Sequence, residues 1–176
     1  MNKIFIAIAF SMISLVPVRA EVVVYTEKCG IGAKADYNLL CQIDSNTLED
    51  YVGEIKSIAV CTSYNNRGGM NTPTIVHNLV EGTDESQQRK PTDMFDTVKF
   101  HGHELDDSNN RMMWDGSGSR QLQGATMHGD AQWTTKVDSK TDKSVHTGTY
   151  TEVMFQGRRK LGEVRAHCNN LPGADD

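Results

Sequence analysis

Two histidines separated by one residue, His101-Gly102-His103, are the part of this chain best placed to do chemistry. On a β-strand, residues two apart point to the same face, so both imidazoles could reach one metal ion. His128 is a candidate third ligand, and Glu104 or Asp106 could supply an oxygen or orient a histidine. Zinc or copper would suit imidazole donors of this kind. A solvated histidine pair on an exposed strand explains the same residues, because the full ligand set of a metal site is not visible.

Other constellations are weaker. Asp106 to Asn110 (DDSNN) is rich in oxygen donors but lacks the Gly and the distal Glu of a calcium loop. Such a run makes a turn without metal. Ser117 and Ser119 sit in Asp-Gly-Ser-Gly-Ser, without the Gly-x-Ser-x-Gly frame of a nucleophile elbow. Glu152 and Glu163 could face each other on one hairpin as a glycosidase pair does, yet exposed carboxylates beside Arg165 are the simpler expectation. Cys29-Gly30-Ile31-Gly32 is not followed by the Gly-Lys-Ser/Thr of a phosphate loop. The cysteines are not spaced as CxxC pairs, which weakens thiol-redox and zinc-ribbon readings alike. No motif carries catalytic geometry, so the balance favours binding over catalysis.

The aromatic residues point to a different use. Trp114, Trp133 and Tyr150, with Phe100 and Phe155, fall on expected strands, where large rings ordinarily fill a core. In a small barrel some would line a pocket at the mouth, which makes Trp114, Trp133 and Tyr150 the candidate ligand-binding residues.

The elements that would hold these side chains are mostly strands. Val145 to Cys168 reads as a β-hairpin around Gly157-Arg158, with Gly where a type II′ turn needs positive φ. A two-residue loop sets Thr151, Val153 and Phe155 on the face of Gly162, Val164, Ala166 and Cys168, leaving Glu152 outside. A three-residue loop would instead put Val153 opposite Glu163, because a slip of one residue exchanges the two faces. Upstream, Thr97 to Leu105, Arg111 to Trp114, Arg120 to Met127 and Gln132 to Val137 are strand candidates. Between them lie the polar joints Asp106 to Asn110, Asp115 to Ser119, His128 to Asp130 and Asp138 to Ser144. Nearer the start, Glu21 to Thr26 reads as a strand. Leu48, Tyr51, Val52, Ile55 and Ile58 repeat at helical spacing behind Thr47, and Ser57 to Tyr64 and Thr74 to Val80 read as strands. Asn65 to Asn71 is a turn by composition, and Thr83 to Asp93, without an apolar residue to bury, is a surface loop. The expected fold is mainly β: a single-domain antiparallel meander, barrel or sandwich, with one short N-terminal helix.

Met1 to Ala20 has the layout of an export signal: Lys3, an apolar run from Ile4 to Val16, and Val18-Arg19-Ala20 before a cleavage point. The apolar run is short for a membrane span, so no stable insertion is expected after cleavage. Residues 21–176 then form one domain, periplasmic or secreted. Cleavage would also remove Lys3 and Arg19, deepening a net charge of −5. That excess of acid argues against nucleic-acid binding, which needs clustered positive charge. Arg158-Arg159-Lys160, the one basic cluster, reads as a solvated turn tip.

An even count of cysteines in an oxidising compartment implies disulfides among Cys29, Cys41, Cys61 and Cys168. Of three possible pairings, the working choice is Cys29–Cys41 locally and Cys61–Cys168 across the domain. Together these features describe an exported, disulfide-stapled β protein. Its expected task is to bind a small apolar ligand or an envelope protein, without a cofactor. The alternative is a metal-binding protein or metal-dependent hydrolase built on His101 and His103.

Overall fold

The computed structural model describes residues 37–62, 73–79, 88–105 and 108–170. The expected leader, the strand from Glu21, the turn from Asn65 and the first part (83–87) of the apolar-free loop lie outside them. The rest of that loop, expected to be plain surface connection, instead forms a two-residue strand and the start of a short helix that buries Pro91. The element order is β1 (Tyr37–Asn46), α1 (Glu49–Val52), β2 (Ile55–Thr62), β3 (Thr74–Leu79), β4 (Gln88–Arg89), α2 (Pro91–Met94) and β5 (Phe95–Glu104). Then come β6 (Asn109–Ser119), β7 (Ala125–Val137), β8 (Ser144–Gln156) and β9 (Arg159–Asn170). All neighbours pair antiparallel in one nine-stranded sheet, in the order β4-β3-β2-β1-β9-β8-β7-β6-β5. The mainly β, antiparallel meander expected from sequence is therefore the fold, and it is a single curled sheet rather than a sandwich.

Chain connectivity forces the curl. Laid flat, the sheet would separate its edge strands β4 and β5 by about 38 Å, at about 4.8 Å per strand. Yet Arg89 and Phe95 are the end of one edge strand and the start of the other, and so short a link reaches about 21 Å at most. The sheet has to roll until its edges approach. Among the described residues no ladder joins β5 to β3 or β4.

The two ends of this partial barrel differ. Both short helices lie at the end where β1, β3, β6 and β8 finish. There Leu48 and Val52 around α1, and Met94 and Phe95 around α2, are buried and close the core. The helical run expected from Leu48 to Ile58 stops early, because Gly53 leaves the helix at φ 83° and β2 begins at Ile55. Thr47 does not cap it: its hydroxyl bonds the backbone of Glu163, while Leu48 N–H donates to Asn46 Oδ1.

Inside the barrel, large and small residues interlock across strands, as a tapering interior requires. Met112, Trp114, Met127, Ala131, Trp133, Tyr150, Met154, Val164 and Ala166 form the core with Leu39, Ile58, Val60 and Ile75. Gly116 and Gly129, expected in joints, instead lie within β6 and β7. A Cβ at Gly129 would stand 1.8 Å from Trp114 Nε1, and one at Gly116 2.7 Å from the Phe95 ring. These glycines make room for rings, not for turns. The four short strands expected between Thr97 and Val137 are accordingly three long ones.

The final hairpin keeps its two-residue turn, with Gly157 at φ 59° and Gln156 opposite Arg159. Its register nevertheless departs from expectation. A bulge between Met154 and Phe155 on one strand and Gly162 and Lys160 on the other sets Val153 opposite Glu163. One extra residue in a strand exchanges the two faces beyond it. Tyr150, Glu152 and Met154 consequently point inward, and Val153 and Phe155 do not.

The disulfide pairing is also corrected. Cys41 bonds Cys168, which it faces directly across the β1–β9 ladder with Cα atoms 3.9 Å apart. Cys61 is disulfide-bonded as well, and so not to Cys168; Cys29 lies outside the described residues. Local spacing misled the expectation because the first and last of the described strands are brought together by the β1–β9 pairing, which sequence separation does not reveal.

Candidate binding site

The barrel end away from the helices carries an open depression of about 290 Å³ across β6, β7 and β8. Ladder pairing builds it. Asn109, Thr134 and Thr147 form one row, Gln132 and Thr149 another, and Asn110, Trp133 and Gly148 lie between them; Arg111, next to Gln132 in the ladder, is engaged with Asp130 and does not line the depression. Side chains alternate along each strand, so the outer rows face away from the buried Trp133 and Asn110. Leu105, 59% exposed, supplies an apolar wall. The Thr134 and Thr147 hydroxyls lie 3.3 Å apart, and Thr134 Oγ1 also reaches the Thr147 carbonyl. Gly148 has no room for a side chain, since a Cβ would meet Gln132 O at 2.0 Å. The lining residues (Leu105, Asn109, Asn110, Gln132, Trp133, Thr134, Thr147, Gly148 and Thr149) include no charged side chain and no histidine or cysteine. They can donate and accept hydrogen bonds and offer methyl groups, but hold no general acid or base.

A second polar cluster lies sealed in the lumen. The Trp114 indole N–H donates to Tyr150 OH at 2.7 Å, and Tyr150 gives its own proton to Glu152 Oε1 at 2.7 Å. His77 Nε2, from β3, reaches the same oxygen at 2.7 Å. Trp114, Tyr150, His77 and Glu152 are each fully buried. Burial first, and the neighbouring Glu152 charge second, hold the Tyr150 phenol well above its ordinary value of 10.0, against the lowering effect of the Trp114 hydrogen bond. A phenol kept neutral in this way works as a donor, not as a base. His77 Nδ1 and Glu152 Oε2 are buried without a hydrogen-bond partner among the described residues.

The residues singled out from sequence are divided between these places. Trp114 and Tyr150 belong to the sealed cluster, while Trp133 stands between the rows of the open depression. His101 and His128 approach one carboxylate: His101 Nε2 is 3.5 Å from Asp115 Oδ2, and His128 Nδ1 is 2.5 Å from Asp115 Oδ1. His128 lies on β7 rather than in a turn, edge-on to the Phe155 ring at 5.9 Å. The His103 side chain and Asp106 lie outside what the structure describes. Among the described residues no three His, Cys, Asp or Glu side chains are grouped to hold a metal ion. Glu163 engages Lys160 and Arg165, and Glu152 faces the lumen, so the two carboxylates are on opposite faces of the sheet.

Compared with protein-family models, with curated proteins and with solved structures, the chain matches none. Site residues are therefore read from this chain's geometry alone. Sequence reasoning missed the threonine rows, because threonine is common on any exposed strand. It also missed His77, and it took Glu152 for an exposed carboxylate, whereas Glu152 is fully buried. Only the bulge turns Glu152 inward, and no local signal marked it.

Proposed function

We propose that this protein is an exported binding module rather than an enzyme. In this reading it takes a small uncharged ligand, part apolar and part hydrogen-bonding, in the depression over β6–β8. One observation carries the proposal: the open site has hydrogen-bonding groups and apolar walls but no titratable side chain. Of the titratable clusters, His77–Tyr150–Glu152 is wholly buried, and His101–Asp115–His128, though exposed, does not line the depression. A site that can grip but neither transfer a proton nor supply an activated nucleophile is a binding site. Its volume is at the lower end for small-molecule sites, which fits a ligand of about one ring. Export is supported by the leader-like first 20 residues and by the Cys41–Cys168 bond, since such bonds persist in oxidising compartments.

A protein partner is the second reading, favoured by the three exposed large aliphatic side chains of the described residues. Leu105, Val137 and Val145 all stand at this same barrel end.

The test is native mass spectrometry of protein recovered from outside the cytoplasm, alongside Thr147→Trp, which fills the depression. The expected result is a retained small molecule in the wild type that the variant loses. Backbone NMR against a panel of uncharged metabolites should shift Gln132, Thr134 and Thr149 first. If no small molecule is retained and none moves those resonances, the reading fails. A protein found in the cytoplasm with its leader intact would refute export.

A further inference from the structure

The strands of the sheet do not bury their side chains alike. In β6 and β7 burial alternates: Met112, Trp114, Met127 and Ala131 are buried, while His128 and Gln132 are exposed. A sheet covered on one face behaves in this way. In β2 and β3 the alternation is missing, and every residue of 57–62 and 75–78 is buried. Both faces of this part of the wall are therefore covered.

Ile58, Val60, Ile75 and His77 look into the barrel. Ala59, Cys61 and Val76 point the other way, as their neighbours in a strand must. With half-buried Leu40 they form a second, small apolar cluster on the outside. The ladders align Leu40, Ala59 and Val76 in one row and Ser57 with Asn78 in another. Ala59 and Val76 are each 1% exposed. Their own sheet cannot hide them, since ladder neighbours stand beside a side chain and not over it. Nor does another described element, because the substantial contacts of β2 and β3 are with β1, β4 and each other.

Sulfur identifies the cover. The chain has four cysteines. Cys41 and Cys168 are bonded to each other, and Cys61, on the covered outer face, is disulfide-bonded too. Within one chain its partner is then Cys29. The reach is short: Cys61 pairs with Asn38 in the ladder, and Asn38 follows Cys29 by nine positions. That much chain spans about 30 Å, enough to turn back from β1 across β2. Composition agrees. Residues 21–36 open with Val22-Val23-Val24-Tyr25 and add Ile31, Ala33 and Ala35. Leaving the expected leader aside, the other stretches outside the described residues are short or mostly polar.

We propose that the chain's own N-terminal segment, residues 21–36, docks on the outer face of β1–β3 and is fastened there by a Cys29–Cys61 disulfide. The wall is then two-sided at β2–β3 and one-sided at β6–β8, where the open depression lies. The fastening needs an oxidising compartment, but the inference does not rest on the ligand reading.

Two measurements on the oxidised protein, complete from Glu21, test it. Peptide mapping by mass spectrometry without reduction, with free thiols blocked first, should recover Cys29 linked to Cys61. Cys29 recovered as a blocked thiol, or linked to a second chain, overturns the proposal. Methyl NMR reads the cover itself. Ala59 and Val76 should show nuclear Overhauser contacts to residues 21–36, and a soluble paramagnetic agent should broaden them several-fold less than the exposed Val137 and Val145. Contacts only to another stretch of the chain or to a second copy, or broadening equal to that of Val137 and Val145, would overturn it.

Discussion

Gly129→Ala should be among the most damaging single-methyl additions in this protein. The added Cβ would lie 1.8 Å from Trp114 Nε1, 2.3 Å from Cδ1 and 2.5 Å from Cε2. Ordinary contacts need about 3.5 Å, so the indole has to shift by about 1.5 Å and cannot keep its 2.7 Å bond to Tyr150. Overpacking of this kind costs about 1–3 kcal/mol. Depriving the buried Tyr150 hydroxyl of its donor costs about 1 kcal/mol or more. Alanine returns about 0.4–1 kcal/mol by restricting the unfolded chain. The net loss is about 2–4 kcal/mol, and urea unfolding followed by tryptophan fluorescence would show it as a midpoint lower by about 1–2 M. Combining it with Trp114→Phe, which withdraws the indole nitrogen, should cost less than the two single losses added together. A Gly129→Ala protein as stable as wild type, or strictly additive losses, would refute the claim that this glycine exists to let an indole cross β7.

Replacing Cys41 and Cys168 by alanine should lower stability by about 4–5 kcal/mol on the chain-entropy estimate for so long a loop, measured by urea unfolding of the two proteins under oxidising conditions. A loss below about 1 kcal/mol would mean that the β1–β9 ladder holds these strands together without help from the disulfide. Tyr150 should limit alkaline stability. Its folded-state value is raised above 10.0 because burial and the Glu152 charge disfavour the phenolate. The stabilisation is therefore fully present below pH 10 and declines as pH rises from there through the folded value. Tyr150→Phe should flatten that alkaline slope, and an unchanged slope in a thermal-melt series above pH 9.5–11 (about the range in which a free phenol titrates) would count against it.

Much of the architecture was legible beforehand. Runs of β-branched and aromatic residues between polar joints placed most strands, and Gly157 marked the last turn because positive φ is cheap only without a side chain. What went astray did so for one recurring reason: residues were read by their local company. Gly116 and Gly129 look like turn residues, but Phe95 and Trp114 lie across them. Glu152 looks like a surface carboxylate, but a bulge one turn away points it at His77. The threonines of the open depression have no distinctive neighbours in sequence, and become a site only when β6, β7 and β8 align them in rows.

By itself the sequence determined the strand content, the antiparallel character and the turn chemistry, because each depends on a few adjacent residues and the period of their side chains. Tertiary structure alone decided which face of β8 looks inward, that Cys41 meets Cys168, that the sheet rolls instead of stacking, and that His77 reaches Glu152. Those outcomes follow from contacts between residues tens of positions apart, where a one-residue slip in a ladder changes every partner and leaves the local pattern as it was.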